Sequence, residues 1–205
     1  VSHRIVLATR NAKKLAELDR LLSSAGLDVQ ILGSDAFKDL PEIDETGQTF
    51  AENALIKARE VCQHTSLPAI ADDSGLCVDA LDGSPGVFSA RWAGESANDE
   101  NNLDLVLEQI VDVPDGQRGA YFACAAALVM PDGREFLVSG QVNGQLLRQR
   151  SGTGGFGYDP IFVPDGYSVT TAQMSAQEKD AISHRGQAMR ELVPLLVQAL
   201  GDPSL

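Results

Sequence analysis

The longest apolar run in this sequence is ten residues, Tyr121 to Met130, and shorter apolar runs alternate along the chain with stretches of helical period. That alternation restricts the fold more than any single residue does. A bilayer span needs about 18 to 20 apolar residues, so no membrane span is expected. Strands interleaved with helices point instead to a sheet covered by helices. Arg4 to Ala8 (RIVLA) reads as a strand, and Leu15, Leu18, Leu22 and Ala25 then recur at helical steps of three and four. Asn11 is a candidate N-cap for that helix and Gly26 a candidate C′ glycine. Thr49-Phe50-Ala51-Glu52 has the spacing of a capping box, predicting a helix that buries Ala51, Leu55, Ala58 and Cys62. Pro68 to Ala71 reads as a strand that stops at Asp72-Asp73-Ser74-Gly75, which has the composition of a turn. Ser96-x-x-Asp99 predicts another capped helix, carrying Leu103, Val106, Leu107 and Ile110. Gly119 to Met130 and Arg134 to Val142 flank Pro131-Asp132-Gly133 as a hairpin would. A glycine-dense loop, Gly152 to Gly157, follows, and the last helix is expected over about 183–200. No repeat or linker divides the chain, which reads as a single α/β domain with a mixed sheet over residues 1–205.

Charge narrows the partners. Sixteen Lys and Arg against 29 Asp and Glu leave a formal charge of −13, which repels nucleic acid and anionic membrane. A phosphorylated ligand then requires either a local gathering of the few bases or a divalent cation. Three cysteines without a C-x-x-C pair cannot close a full disulfide framework. With a strand pattern within three residues of the first, they make a reducing, cytoplasmic setting the expectation.

Five segments concentrate groups suited to chemistry. Thr9-Arg10-Asn11-Ala12-Lys13-Lys14 lies where a strand hands over to a helix, so backbone N–H groups and the positive end of the helix dipole suit phosphate. An ordinary N-cap followed by solvated lysines is the alternative. Asp44, Glu45, Asp72 and Asp73 form two adjacent carboxylate pairs, which repel unless a cation intervenes or one group is protonated. They are candidate Mg²⁺ ligands or a general base, against an Asx turn before Gly75. Glu52 is most simply explained by its capping box, with a metal role second, and Asp39, Glu42 and Asp44 fit a solvated acidic loop. Gly152-Thr153-Gly154-Gly155-Phe156-Gly157 matches G-x-G-x-x-G, but Tyr158-Asp159-Pro160-Ile161-Phe162 follows where a dinucleotide fold needs a helix. Close approach of this backbone to a ligand, with Phe156 as a stacking face, stands beside a tight structural loop. Lys179, His184 and Arg185 cluster in a chain poor in bases, with donors for carbonyl or phosphate oxygens. His3 and His64 have no such company, and Trp92 fits a core position.

Taken together, six segments resemble the non-canonical purine nucleoside triphosphate pyrophosphatases, the inosine/xanthosine triphosphate pyrophosphatase family. They are T-x-N-x-x-K at Thr9 to Lys14, ETG at Glu45 to Gly47 with TFAENA at Thr49 to Ala54, ADDSGL at Ala71 to Leu76, PGVFSARWAG at Pro85 to Gly94, GTGGFGYDPIF at Gly152 to Phe162, and EKDAISHRG at Glu178 to Gly186. They cover nearly the whole chain in the family's order.

The resemblance implies an elongated α/β fold with a mixed sheet and flanking helices, two lobes around a central active-site cleft, and a homodimer. It implies cleavage of a small-molecule purine nucleoside triphosphate between the α and β phosphates. On that basis Thr9, Arg10, Asn11, Ala12, Lys13, Lys14 and Lys179 would hold phosphates, and Glu45 and Asp73 would bind Mg²⁺. Asp73 would also accept a proton, with Ser74 beside it, while Phe156, Gly157, Tyr158, Asp159, His184 and Arg185 would hold the purine. A 6-oxo purine accepts hydrogen bonds where adenine presents an amino donor, so donors from His184 or Arg185 would discriminate between them. A pyrophosphatase for pyrimidine or other modified nucleotides, and a non-catalytic nucleotide-binding module, are the competing readings.

Overall fold

A computed structural model describes residues 3–24 and 29–201. The elements run β1 (His3–Leu7), α1 (Ala12–Ser24), β2 (Val29–Gly33), α2 (Phe50–Thr65), β3 (Ala69–Val78), α3 (Asp99–Gln109), β4 (Gly119–Val129), β5 (Glu135–Leu146), β6 (Phe162–Pro164), α4 (Ala176–Ile182) and α5 (His184–Leu200), with short 3-10 turns between them. The strands make one six-stranded sheet in the order β2-β1-β3-β4-β5-β6. Parallel pairing sets Ile5 opposite Ile31 and Val6 opposite Ala69, whereas β6 pairs antiparallel with β5, Gly144 opposite Pro164. The mixed α/β sheet expected from the sequence is what forms. No helix among the described residues is long and apolar enough to cross a membrane.

The chain divides into two compact units. The first takes the chain up to Asp73, Ala125–Ser139 and the chain from Arg185; the second takes Ser74–Cys124 and Gly140–His184. In the first, Ala54, Ala58, Val61 and Cys62 of α2 pack with Val6, Ala69, Ala71, Ala125, Ala127 and Val129. Small side chains dominate that list, as a helix lying close on a sheet requires. In the second, Leu103, Val106 and Ile110 of α3 pack with Leu76, Val78, Leu146, Tyr158, Ile161 and Phe162. Arg118 is 2% exposed there, and its guanidinium donates to the carbonyls of Ile110, Leu146 and Leu147 at 2.6 to 3.0 Å. It therefore ties the end of α3 to the end of β5.

Several local expectations change. The DDSG segment is no turn: β3 runs unbroken from Ala69 to Val78. Polar residues persist in a buried strand here because their side chains find cationic and amide partners, and Gly75 serves close packing. A Cβ there would lie 2.3 Å from the Gly86 carbonyl oxygen and 2.4 Å from Ser89 Oγ. The Thr49–Glu52 capping box forms as expected, but α2 buries Asn53, Ala54, Ala58, Val61 and Cys62, leaving Ala51 and Leu55 half-buried. The cap of α3 is Asn98, whose side chain accepts from the Asn101 N–H, and not Ser96. Asn11 stands directly before α1, its carbonyl accepting the Leu15 N–H at 3.2 Å, while Ala25 and Gly26 lie outside the described residues. The hairpin closes through the Gly133 N–H to Met130 C=O bond, and β5 extends to Leu146, beyond the expected Val142. The last helix forms as expected, as α5 from His184 to Leu200, and an unexpected short helix, α4, precedes it, started by a capping box of Ser175 and Glu178.

Candidate active site

Strand periodicity separates the two aspartates. Successive residues of a strand point to opposite faces, and Ala69 and Ala71 pack with α2, so Asp73 looks to α2 as well. There Asn53 Nδ2 donates to Asp73 Oδ2 at 2.9 Å, and Lys57 Nζ lies 3.8 Å from Asp73 Oδ1. Asn53 and Lys57 are four apart and share one stripe of the helix. The Lys57 ammonium also donates to Glu45 Oε1 at 2.7 Å, and Asn53 Oδ1 accepts the Gly47 N–H at 2.7 Å. The capped end of α2 thus draws the Glu45–Gly47 segment towards Asp73.

Asp72 faces the other way. Lys14 Nζ of α1 donates to Asp72 Oδ2 at 2.8 Å, and Arg185 Nε of α5 donates to the same oxygen at 3.0 Å. Burial alone would raise this carboxyl, but the charges of Lys14 and Arg185, the Lys14 hydrogen bond and the charge of Lys57 overcome it and hold the group well below the usual carboxylate range. The two neighbouring carboxylates have different hydrogen-bond partners, because the strand turns them apart.

The segment before α1 carries its groups as expected at a strand-to-helix junction. The Thr9 hydroxyl accepts the Asn11 N–H at 3.1 Å, and the Thr9 carbonyl takes the Ser34 N–H at 3.0 Å. Arg10, Asn11 and Ala12 are exposed and Thr9, Lys14 and Ser74 half-buried; the Lys13 side chain lies outside the described residues.

The glycine-dense segment belongs to the second unit. Gly152, Gly155 and Gly157 have φ of 86°, 71° and 59°, the left-handed region that favours glycine. At Gly155 the demand is double, since a Cβ would also sit 2.0 Å from Asp159 Oδ2. The Asp159 carboxylate organises the loop: it accepts the Phe156 N–H at 2.8 Å and the Thr171 hydroxyl at 2.8 Å, and it pairs with the Lys179 ammonium. That ammonium lies 4.8 Å from the centroid of the Phe156 ring, which is 43% exposed. Gly157 donates its N–H to Asp99 Oδ2 at 2.8 Å, and the Tyr158 hydroxyl donates to the Ser89 carbonyl at 2.8 Å. Burial, with the Asp99 charge behind it, pushes the Tyr158 phenol above its ordinary value. A short 3-10 turn and β6 follow the loop, not a helix, which removes the dinucleotide fingerprint. His184 opens α5 with its ring stacked on Phe122.

Asn53, Lys57 and the two cations on Asp72 were missed as a constellation in the sequence. Part of the signal was present: an asparagine and a lysine at i and i+4 amid the small apolar residues of Ala51 to Ala58 mark a polar line on a core-facing stripe. Arg185, assigned to the purine by resemblance, has its Nε on Asp72.

The chain matches the Ham1 family model over residues 5–195. It is 57% identical over 198 residues, 97% of this chain and 99% of the relative, to a dITP/XTP pyrophosphatase of Streptomyces coelicolor. Among solved structures it is similar to a HAM1 protein from Coxiella burnetii, with a TM-score of 0.88 and 43% identity covering 96% of this chain and 99% of that one. A nucleoside-triphosphatase / dITP/XTP pyrophosphatase from Mycobacterium abscessus gives a TM-score of 0.78 and 50% identity, covering 94% and 99%.

Proposed function

The chain belongs to the Ham1 family, and from that premise we propose that it hydrolyses non-canonical purine nucleoside triphosphates, deoxyinosine and xanthosine triphosphates among them, to the monophosphate and pyrophosphate. The observation that carries this reading is the convergence of Glu45 and Asp73 on the Lys57 ammonium. Two carboxylates gathered around one cation are suited to divalent-metal phosphate chemistry. Among the described residues no three His, Cys, Asp or Glu side chains form a metal cage. One or two carboxylates completed by water and substrate phosphates are what Mg²⁺ takes, so the donors fit that ion, with Glu45 and Asp73 holding it. When bound, it would neutralise phosphate charge and ease deprotonation of the attacking water.

Asp73 accepts the proton of the attacking water at its carboxylate. Asn53 holds Asp73 Oδ2, so the acceptor is oriented before substrate arrives. The backbone N–H groups and short side chains of Thr9 to Ala12, with Lys14, meet the phosphates at the start of α1, and Lys13 and Lys179 are further cations for the phosphates. Ser74 stands beside Asp73 at the reacting end. Phe156 stacks on the purine, with Gly157, Tyr158 and Asp159 shaping the loop that presents it. His184 donates to the 6-oxo group, and Arg185 is the second donor through its terminal nitrogens, its Nε being on Asp72. We further infer a homodimer, and a cytoplasmic setting, which is supported by Cys62, Cys77 and Cys124 being buried and outside any disulfide.

The test is a panel of inosine, deoxyinosine, xanthosine, guanosine, adenosine and thymidine triphosphates, with and without Mg²⁺, read as pyrophosphate and orthophosphate separately. Pyrophosphate from the inosine and xanthosine substrates, only with the metal, is expected. Orthophosphate as the first product would overturn the bond assignment.

A further inference from the structure

The second unit holds two aromatic side chains, Phe122 and Phe162, that the functional reading leaves unused. Phe162, fully buried, meets Phe122 edge-on, with ring centroids 4.8 Å apart and planes at 70°. Phe122 in turn lies nearly parallel to the His184 imidazole, 4.9 Å away with planes 9° apart. Phe122 stands in β4 and Phe162 at the start of β6, so both supporting rings are carried by strands of the sheet. A cavity lined by Phe122, Phe162, Lys179 and His184 among others measures about 10 Å³, room for one water at most. The imidazole therefore rests on a flat ring that is itself held from the side.

We propose that Phe122 is a positioning residue that sets the plane in which His184 presents its N–H to the base. The proposal rests on the assignment of His184 to the purine. An N–H bond to a carbonyl oxygen weakens steeply as it bends and prefers the plane of the carbonyl, so a donor on a ring free to rotate recognises a 6-oxo group poorly. A flat aromatic neighbour removes that freedom by allowing only parallel orientations of the imidazole. A branched aliphatic side chain of similar volume fills the space without imposing a plane.

The experiment compares wild type, Phe122→Leu and Phe122→Tyr by steady-state kinetics on inosine and adenosine triphosphates, with NMR of the His184 ring protons. Phe122→Leu is expected to raise KM for inosine triphosphate roughly three- to tenfold, the range of an aromatic pair, with kcat unchanged and adenosine triphosphate little affected. Phe122→Tyr, which keeps a flat face, restores the wild-type KM. The upfield ring-current shift of the His184 protons should be present in wild type and Phe122→Tyr and lost in Phe122→Leu. If wild type does not prefer inosine to adenosine triphosphate, the assignment of His184 and the proposal fall together. If wild type has that preference and Phe122→Leu keeps it unchanged, or loses kcat on both substrates alike, the proposal alone is overturned.

Discussion

Asp72 and Asp73 are neighbours in one strand, yet the two faces of β3 give them opposite surroundings. Asp72 is 4% exposed, and one of its oxygens accepts from both Lys14 and Arg185 at 2.8 and 3.0 Å. Asp73 is held on one oxygen by the neutral amide of Asn53, while its cationic neighbour Lys57 stands 3.8 Å from the other and is shared with Glu45. A carboxylate locked between two cations stabilises the fold and has little freedom to bind or move a proton. A carboxylate oriented by an amide, with a second carboxylate near the same cation, has that freedom. Identical side chains one residue apart are thus fitted to different tasks by the alternation of a strand.

Removing the charge at Asp72 should sharpen this contrast most. Asp72→Asn removes the carboxylate charge that Lys14 and the buried Arg185 share, and breaking a buried pair in this way costs about 3 to 5 kcal/mol. Denaturant unfolding should show that loss, and Arg185→Ala should show a part of it, since Asp72 then keeps Lys14 as its partner. If either variant unfolds at the wild-type midpoint, the cations on that face hold nothing. Phe156→Ala, in the glycine loop, should leave stability nearly unchanged and raise KM for every purine triphosphate about tenfold, since stacking on an aromatic ring is worth about 1 to 3 kcal/mol per base. A change confined to one base would make Phe156 a reader of base edges and not a platform.

The smallest effect belongs to an ion pair far from both aspartates in character. Arg59 and Glu135 form a two-bond pair at 2.7 Å, with side chains 53% and 35% exposed. The hydrogen bonds from Arg59 lower the Glu135 carboxyl, overcoming a small opposing effect of burial. Its contribution is therefore present above the unfolded value, near about 4.3, and is lost as pH falls through the lower folded value. Glu135→Gln should cost at most about 1 kcal/mol at neutral pH, measured as a shift in the thermal midpoint that vanishes in acid. A loss as large as that of Asp72→Asn would mean that burial does not distinguish these pairs.

The alternation of helices and strands was legible because each element carries its own period, and the Thr49–Glu52 box because a cap is local chemistry. β3 was misread beyond Ala71 because Asp-Asp-Ser-Gly has turn composition, and the partners that make it a strand, Lys14, Asn53, Lys57 and Arg185, are distant in sequence. Gly75 looks like a turn glycine for the same reason: its demand comes from Gly86 and Ser89. The candidate residues Glu45, Asp73, Lys14 and Phe156 could be picked by type and motif, whereas Asn53 and Lys57 needed the helix to be laid on the sheet. Phe122 gives no sign in sequence, since its partners Phe162 and His184 are some forty and sixty residues away.

The division of labour across β3 is tested most directly by Asp73→Asn, measured at saturating Mg²⁺ for both unfolding and pyrophosphate release from inosine triphosphate. The substitution keeps the shape and removes the charge. The thermal midpoint should stay within a few degrees of wild type while kcat falls about a hundredfold or more, as for loss of a general base or metal ligand. Near-normal turnover by Asp73→Asn would contradict the assignment of the chemistry to the α2 face of the strand.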